Sequence, residues 1–163
     1  MIMAFTPMAH AEKVTITVAT DKPGWTISKY LTGMHTVYGH EKDVYWENPK
    51  LVAWMKNAKV GTIRYPGGTA VQHWHWDDPS GISFKTDSWD PKYNDKPRDA
   101  KQWMALDEYI KFCRKIGAEP MVGINTRSGK KYNRRDESLA SARRLIQHCK
   151  DQGYQVKHWY IGN

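Results

Sequence analysis

Arg64, Asn125 and Asn163 each stand at or beside the end of a short apolar run: Thr62–Tyr65, Pro120–Asn125 and Val156–Asn163. Parallel α/β folds gather their binding and catalytic groups at the carboxyl ends of strands. A permanently charged guanidinium and two carboxamides at three successive strand ends are therefore the pattern to explain. Two of them also have a plainer reading, Arg64 as a structural ion-pair partner and Asn125 as a strand cap. A second cluster, His73-Trp74-His75-Trp76-Asp77-Asp78, invites a metal, since both histidines would share a face of an extended segment with two carboxylates behind them. Such a site needs further ligands with their own hydrogen-bond support, and the sequence offers none, so no metal is expected. A third cluster, Thr126 to Arg135, carries Arg127, Lys130, Lys131, Arg134 and Arg135. It reads either as a clamp for an anionic ligand or as a solvated basic loop.

The elements that must position these groups follow from periodicity. Lys13–Thr20 alternates and is β-branched, which predicts a strand, with a turn at Asp21–Gly24. Tyr30–Val37 is a second extended segment. Asn48 caps a helix opened by Pro49, whose apolar face is Leu51, Val52, Trp54, Met55 and Ala58. The strand Thr62–Tyr65 ends at Pro66-Gly67-Gly68, and a long loop rich in Trp, His, Asp and Pro reaches Arg98. Loops of that length in compact domains are usually functional. Asp99 caps the next predicted helix, in which Trp103, Leu106, Ile110, Cys113 and Ile116 share a face and which Gly117 ends. The strand Pro120–Asn125 follows. A helix after Asp136 carries Leu139, Ala142, Leu145, Ile146 and Cys149 to near Gly153, and a last strand runs from Val156. Strand and helix in strict alternation predict a parallel α/β sheet.

Size and charge narrow the classes. A chain of 163 residues suffices for one core. It falls short of the roughly 250 residues of an eight-fold βα barrel. No apolar run approaches the roughly 20 residues of a membrane span. The net charge of +8 suits an anionic partner such as nucleic acid, a membrane surface or an acidic polysaccharide. Cys113 and Cys149 fall on apolar helix faces and read as buried hydrophobes. Ala9-His10-Ala11 after a short apolar stretch fits a signal-peptide remnant over residues 1–11, without a basic leading region, and leans towards an extracellular or periplasmic location. No Gly-x-Gly-x-x-Gly follows any strand, which leaves a dinucleotide-binding domain without its motif.

Gly61-Thr62-Ile63-Arg64-Tyr65-Pro66-Gly67-Gly68, His75-Trp76-Asp77-Asp78, Phe112 to Pro120, Asn125 and Val156 to Asn163 occur in an order and spacing that resembles family 51 of the glycoside hydrolases, the α-L-arabinofuranosidases, within the clan of retaining (β/α)8-barrel glycosidases. The resemblance covers nearly the whole chain from about Val14. It implies an α/β chain forming the N-terminal half of a TIM barrel, strands one to four, over residues 27–163. Before it, residues 12–26 would give a β-strand of an accessory β-sandwich. Arg64 would end strand two and hold the nucleophilic carboxylate ionised, Asn125 would line the sugar subsite, and Asn163 would contact the sugar 2-hydroxyl. The general acid/base glutamate would come immediately after Asn163, so no catalytic carboxylate is expected within the chain, which alone would be inactive. The glutamate that binds the sugar on the family's first strand has no counterpart between Gly33 and Tyr38; the next is Glu41.

On this resemblance the parent is a glycoside hydrolase acting on plant or algal polysaccharide by double displacement. Its substrate is an oligo- or polysaccharide, anionic if the basic loop is a clamp, and it needs no cofactor, nucleic acid or membrane. Flat apolar rings stack on sugar faces, so Trp74, Trp76 and Trp89, with His75, are expected at the barrel mouth, while Trp54 and Trp103 are expected in the core. Unpaired sheet edges and a bare helix face favour a homo-oligomer. The alternative is a non-catalytic carbohydrate- or nucleic-acid-binding module, favoured by basic charge with interleaved aromatics. That alternative leaves the placement of Arg64, Asn125 and Asn163 at strand ends unexplained.

Overall fold

The structure, a computed structural model, describes residues 14–22, 24–35, 46–78, 87–93 and 104–163. Four strands, β1 (Gly33–His35), β2 (Thr62–Tyr65), β3 (Glu119–Ile124) and β4 (His158–Ile161), form one sheet in the order β1-β2-β3-β4. Every neighbouring pair is parallel, with Arg64 level with His35 on one side and Met121 on the other. On β4, His158 continues that level. Strand order that follows chain order has no reversal point, which separates this sheet from the doubly wound nucleotide folds. It is the winding of a (β/α) barrel.

Helices α1 (Pro49–Asn57), α2 (Leu106–Ile116), the short α3 (Arg127–Lys131) and α4 (Arg135–Asp151) supply the connections. Asn48 caps α1 as expected, its side chain accepting the Lys50 N–H at 2.9 Å. Gly117 closes α2 in the left-handed region, φ +81°, a conformation that costs glycine nothing. The helix-facing side of the sheet is apolar: Ile63, Tyr65 and Val122 are all but fully buried with Tyr109, Ile110 and Cys113 of α2 and with Leu145 and Cys149 of α4. Tyr109 contributes more than bulk. Its hydroxyl donates to the Ile63 carbonyl at 2.6 Å and accepts the Met121 N–H at 2.9 Å, so one α2 side chain ties β2 to β3. Its ring stacks on Tyr65 with centroids 4.4 Å apart.

Several expectations are corrected here. Residues 14–20 form no strand; a period-two pattern becomes a strand only with a neighbour to pair, and among the described residues none lies beside it, so Val14, Ile16 and Val18 are exposed. The second helix begins at Leu106, where Glu108 accepts the Ala105 N–H at 2.7 Å, and so does not reach back to Asp99. Asp99, Trp103 and residues 1–11 lie outside the described residues. Trp54 is 54% exposed because the buried stripe of α1 runs through Val52 and Met55, which leaves Trp54 on the outer flank.

Candidate functional site at the strand ends

The sheet's other face carries the polar groups. Gly123 leaves room for the Tyr160 ring, since a Cβ there would fall 2.5 Å from Tyr160 Cζ. With that space the Tyr160 hydroxyl reaches and donates to the Pro66 carbonyl. The Arg64 guanidinium lies over the same ring at 5.1 Å. Its Nη2 donates to Asn163 Oδ1 at 3.3 Å, joining the ends of β2 and β4. The Asn163 carbonyl accepts Gln72 Nε2 at 2.7 Å, and Gln72 Oε1 accepts Arg127 Nη1 at 2.8 Å. Two guanidinium groups thus stand at the mouth, each holding a carboxamide. Guanidinium groups remain charged at any working pH and fit carboxylate oxygens as a fork.

The expected site residues divide into two groups. Arg64 and Asn163 are brought together. Asn125 is not with them: Nδ2 donates to the Trp74 carbonyl at 3.2 Å and to Ser128 Oγ at 2.7 Å, and Oδ1 accepts the Ser128 N–H at 3.2 Å. Its amide is spent on shaping the turn into α3, which is the strand-cap reading. Trp74 is 5% exposed and packs edge-on against Tyr65, so neither ring face is open to a sugar. Trp76 donates its Nε1–H to the Ser141 carbonyl at 3.1 Å and lies against His148. His75 is buried, bonded to Asp87 at 2.8 Å and packed on Trp89. The described aromatic side chains of this loop therefore pack onto α4 and the core instead of lining the mouth. A loop with this much apolar area gains more from burial than from display.

The His-Asp run of the same loop is also dispersed. Asp77 pairs with Arg144 at 2.8 Å, while His73 and His75 turn to Asp87. Among the described residues no group of three or more His, Cys, Asp or Glu side chains is placed to hold a metal ion. Burial pushes the Asp87 carboxyl up, but hydrogen bonds from His75, Ser128 and the Trp89 N–H outweigh it and leave the group below the ordinary value. Burial also depresses His73, with Asp87 opposing the shift and Arg127 and Lys131 reinforcing it. The Cys113 thiol is pushed up to about 12 and the Cys149 thiol to about 11 by burial, so neither is a nucleophile at neutral pH.

The basic segment becomes α3 and the start of α4. Lys131 lies 3.5 Å from Asp90, and Arg134 pairs with Glu137 and covers the Trp89 ring at 4.2 Å. Lys130 and Arg135 border a groove of about 750 Å³ between the ends of β3 and β4 and the apolar side of α4, at Leu139, Ala142 and Ile146. Arg127 was singled out in the basic segment, whereas Gln72, Tyr160 and Asp87 escaped notice as site residues in the sequence. Only Tyr160 had a signal, since alternation puts it on the face opposite Trp159.

Comparison with known proteins places this geometry. The family described as Alpha-L-arabinofuranosidase 1 domain matches residues 54–158. The chain is 29% identical over 126 residues to alpha-L-arabinofuranosidase C of Emericella nidulans, covering 67% of this chain and 23% of the relative. It is 24% identical over 149 residues to the intracellular exo-alpha-(1->5)-L-arabinofuranosidase of Acetivibrio thermocellus, covering 77% and 25%. Among solved structures, the thermostable family 51 alpha-L-arabinofuranosidase from Thermotoga petrophila aligns with a TM-score of 0.55 at 27% identity, over 84% of this chain and 32% of that one. An alpha-L-arabinofuranosidase from Thermotoga maritima, in an arabinose complex, aligns with a TM-score of 0.53 at 27% identity over 80% and 31%. The chain thus spans about a quarter of the length of these curated relatives. Its four-stranded parallel sheet corresponds to the N-terminal part of the family 51 barrel.

Proposed function

The chain belongs to the Alpha-L-arabinofuranosidase 1 domain family, and from that premise we propose that it supplies the first four strands of a retaining (β/α)8 glycoside hydrolase that cleaves α-L-arabinofuranosides. The observation that carries the reading is the 3.3 Å contact between Arg64 and Asn163 across the carboxyl ends of β2 and β4. In TIM-barrel enzymes that face holds the active site. A retaining enzyme needs two carboxyl groups about 5 Å apart. One protonates the glycosidic oxygen as the other attacks the anomeric carbon, forming a glycosyl ester and releasing the alcohol. Water then cleaves the ester, giving its proton to the first group. The role of Arg64, laid over the Tyr160 ring, is to keep the attacking carboxylate ionised. Asn163 binds the sugar 2-hydroxyl, a bond that strengthens in the transition state. The names of the relatives support arabinofuranose as the sugar.

The test is hydrolysis of an aryl α-L-arabinofuranoside by the full-length enzyme, with the first-formed sugar anomer read by proton NMR. Product of the same anomeric configuration as the substrate is expected. Inverted product, or no hydrolysis of any aryl furanoside, overturns the proposal.

A further inference from the structure

Lys131 and Arg134 of the basic segment are met by carboxylates, those of Asp90 and Glu137. Arg127, the first residue of α3, is met by a neutral amide. Its Nη1 donates to Gln72 Oε1 at 2.8 Å, and among the described residues no carboxylate pairs with it. The acids of the flanking segments are committed elsewhere: Asp77 to Arg144, Asp87 to His75 and Ser128, and Asp90 to Lys92 and Lys131. Gln72 also fixes how the guanidinium is presented. Its Nε2 is turned to the Asn163 carbonyl, 2.7 Å away, so its Oε1 faces Arg127. A carboxamide oxygen orients the guanidinium without neutralising it. With Nη1 held, the edge formed by Nε and Nη2 remains, and among the described residues nothing accepts from it. That edge is a pair of parallel N–H groups, the shape that a carboxylate fits with both oxygens. Arg127 and Asn163 are both exposed, at the same carboxyl face of the sheet.

We propose that Arg127 is a specificity-determining residue that binds a carboxylate on the sugar unit to which the arabinofuranose is joined, so that the enzyme favours oligosaccharides bearing uronic acid. The proposal rests on the glycosidase reading of the strand-end site. Arabinofuranose carries no acid group of its own. Arg127 also stands one carboxamide away from Asn163, the residue assigned to the sugar's 2-hydroxyl. The anion that Arg127 meets therefore belongs to the neighbouring unit. A neutral neighbour would leave the Nε–Nη2 edge to water. Arg64 does not compete for that carboxylate, because it lies over the Tyr160 ring and bonds Asn163 through Oδ1, whereas Gln72 and Arg127 approach through the Asn163 carbonyl. The net charge of +8 adds a long-range attraction for an acidic chain.

The test measures kcat/KM of the full-length enzyme on two disaccharides, an α-L-arabinofuranosyl hexuronic acid and its carboxyl-reduced counterpart, with an aryl α-L-arabinofuranoside as control. A hydrogen-bonded charge pair is worth about 10- to 100-fold, and the wild-type enzyme should prefer the acid by that factor. Arg127→Gln should bring the ratio of the two rates to about 1. Arg127→Lys keeps the charge but loses the fork, and should retain only part of the preference. The ratio is read within one enzyme sample, so a loss of folded protein does not move it. Equal kcat/KM on the two disaccharides for the wild-type enzyme overturns the proposal, and so does a preference that survives in Arg127→Gln. If Arg127 instead meets a carboxylate of the protein itself, the replacement slows both disaccharides alike and the wild-type enzyme shows no preference, which is the first of those outcomes. Hydrolysis of the aryl arabinofuranoside without any preference for the acid strikes this proposal alone. No hydrolysis of the aryl compound strikes the glycosidase reading, and this proposal with it.

Discussion

Replacing Gly123 by alanine should both destabilise the chain and disarm its strand-end site. The added methyl would lie 2.5 Å from Tyr160 Cζ, 2.6 Å from the Tyr160 hydroxyl and 2.6 Å from Val71 Cγ2. Carbon atoms in contact prefer about 3.5–4.0 Å, so the overlap is about 1 Å on two sides. Val71 is fully buried and cannot retreat. Tyr160 can, but only by giving up its hydrogen bond to the Pro66 carbonyl and its place under Arg64. Overpacking costs about 1–3 kcal/mol, the hydrogen bond about 1 and the cation–π contact about 0.5–1, which together make about 2–5 kcal/mol. With a urea slope of about 2 kcal/mol per molar, the unfolding midpoint should fall by about 1–2.5 M. A double-mutant cycle identifies the cause. If the methyl acts by displacing Tyr160, Gly123→Ala should cost about 1 kcal/mol less on a Tyr160→Ala background than in the wild-type chain. Strictly additive costs would refute the account of how Gly123, Tyr160 and Arg64 depend on one another.

Three further outcomes test neighbouring parts of the structure. Tyr109→Phe leaves the part-buried Met121 N–H and the buried Ile63 carbonyl without their shared partner and should lower stability by about 1–3 kcal/mol in urea unfolding; a change within error would mean those groups find other partners. Cys113 and Cys149 should resist iodoacetamide at pH 8 until denaturant is added, as followed by mass spectrometry, because burial raises their thiols to about 12 and about 11. Since the Asp87 carboxyl is depressed in the folded chain, its contribution is present above its ordinary 3.8 and is lost as pH falls through the lower folded value. Asp87→Asn should therefore flatten the acid limb of a melting-temperature profile below pH 4, and an unchanged limb would place the acid sensitivity elsewhere.

The barrel winding was legible wherever local pattern and tertiary context agree. Thr62–Tyr65 is the observed β2, Asn48-Pro49 opens α1, Gly117 closes α2, and α4 and β4 follow their apolar periodicity. Period and capping are local signals, and here nothing overrides them. Residues 14–20 show the limit, since alternation specifies a strand only where a second strand is at hand. The site was half legible for a related reason. Strand-end position singled out Arg64 and Asn163, which converge, but it equally singled out Asn125, whose amide serves Ser128 and the Trp74 carbonyl. Position does not tell which direction an amide turns. Trp74 and Trp76 read as sugar platforms because an exposed position was assumed for them, whereas their rings pack on Tyr65 and α4. Asp87 had no signal of its own. Its importance comes from partners at positions 73, 75 and 128, which only the folded chain brings together.

We propose that Asn163, fixed by Arg64 and Gln72, binds the 2-hydroxyl of the sugar in a retaining glycosidase. It is tested most directly by kcat/KM of the full-length enzyme and its Asn163→Ala variant, each on an aryl α-L-arabinofuranoside and on the matching 2-deoxy compound. Hydrogen bonds to the 2-hydroxyl are worth several kcal/mol in the transition state, so the variant should lose about 100-fold or more on the hydroxylated substrate. On the 2-deoxy substrate, where the partner is already missing, wild type and variant should be about equal. Equal losses on both substrates would contradict the account and make Asn163 a structural residue of the strand end.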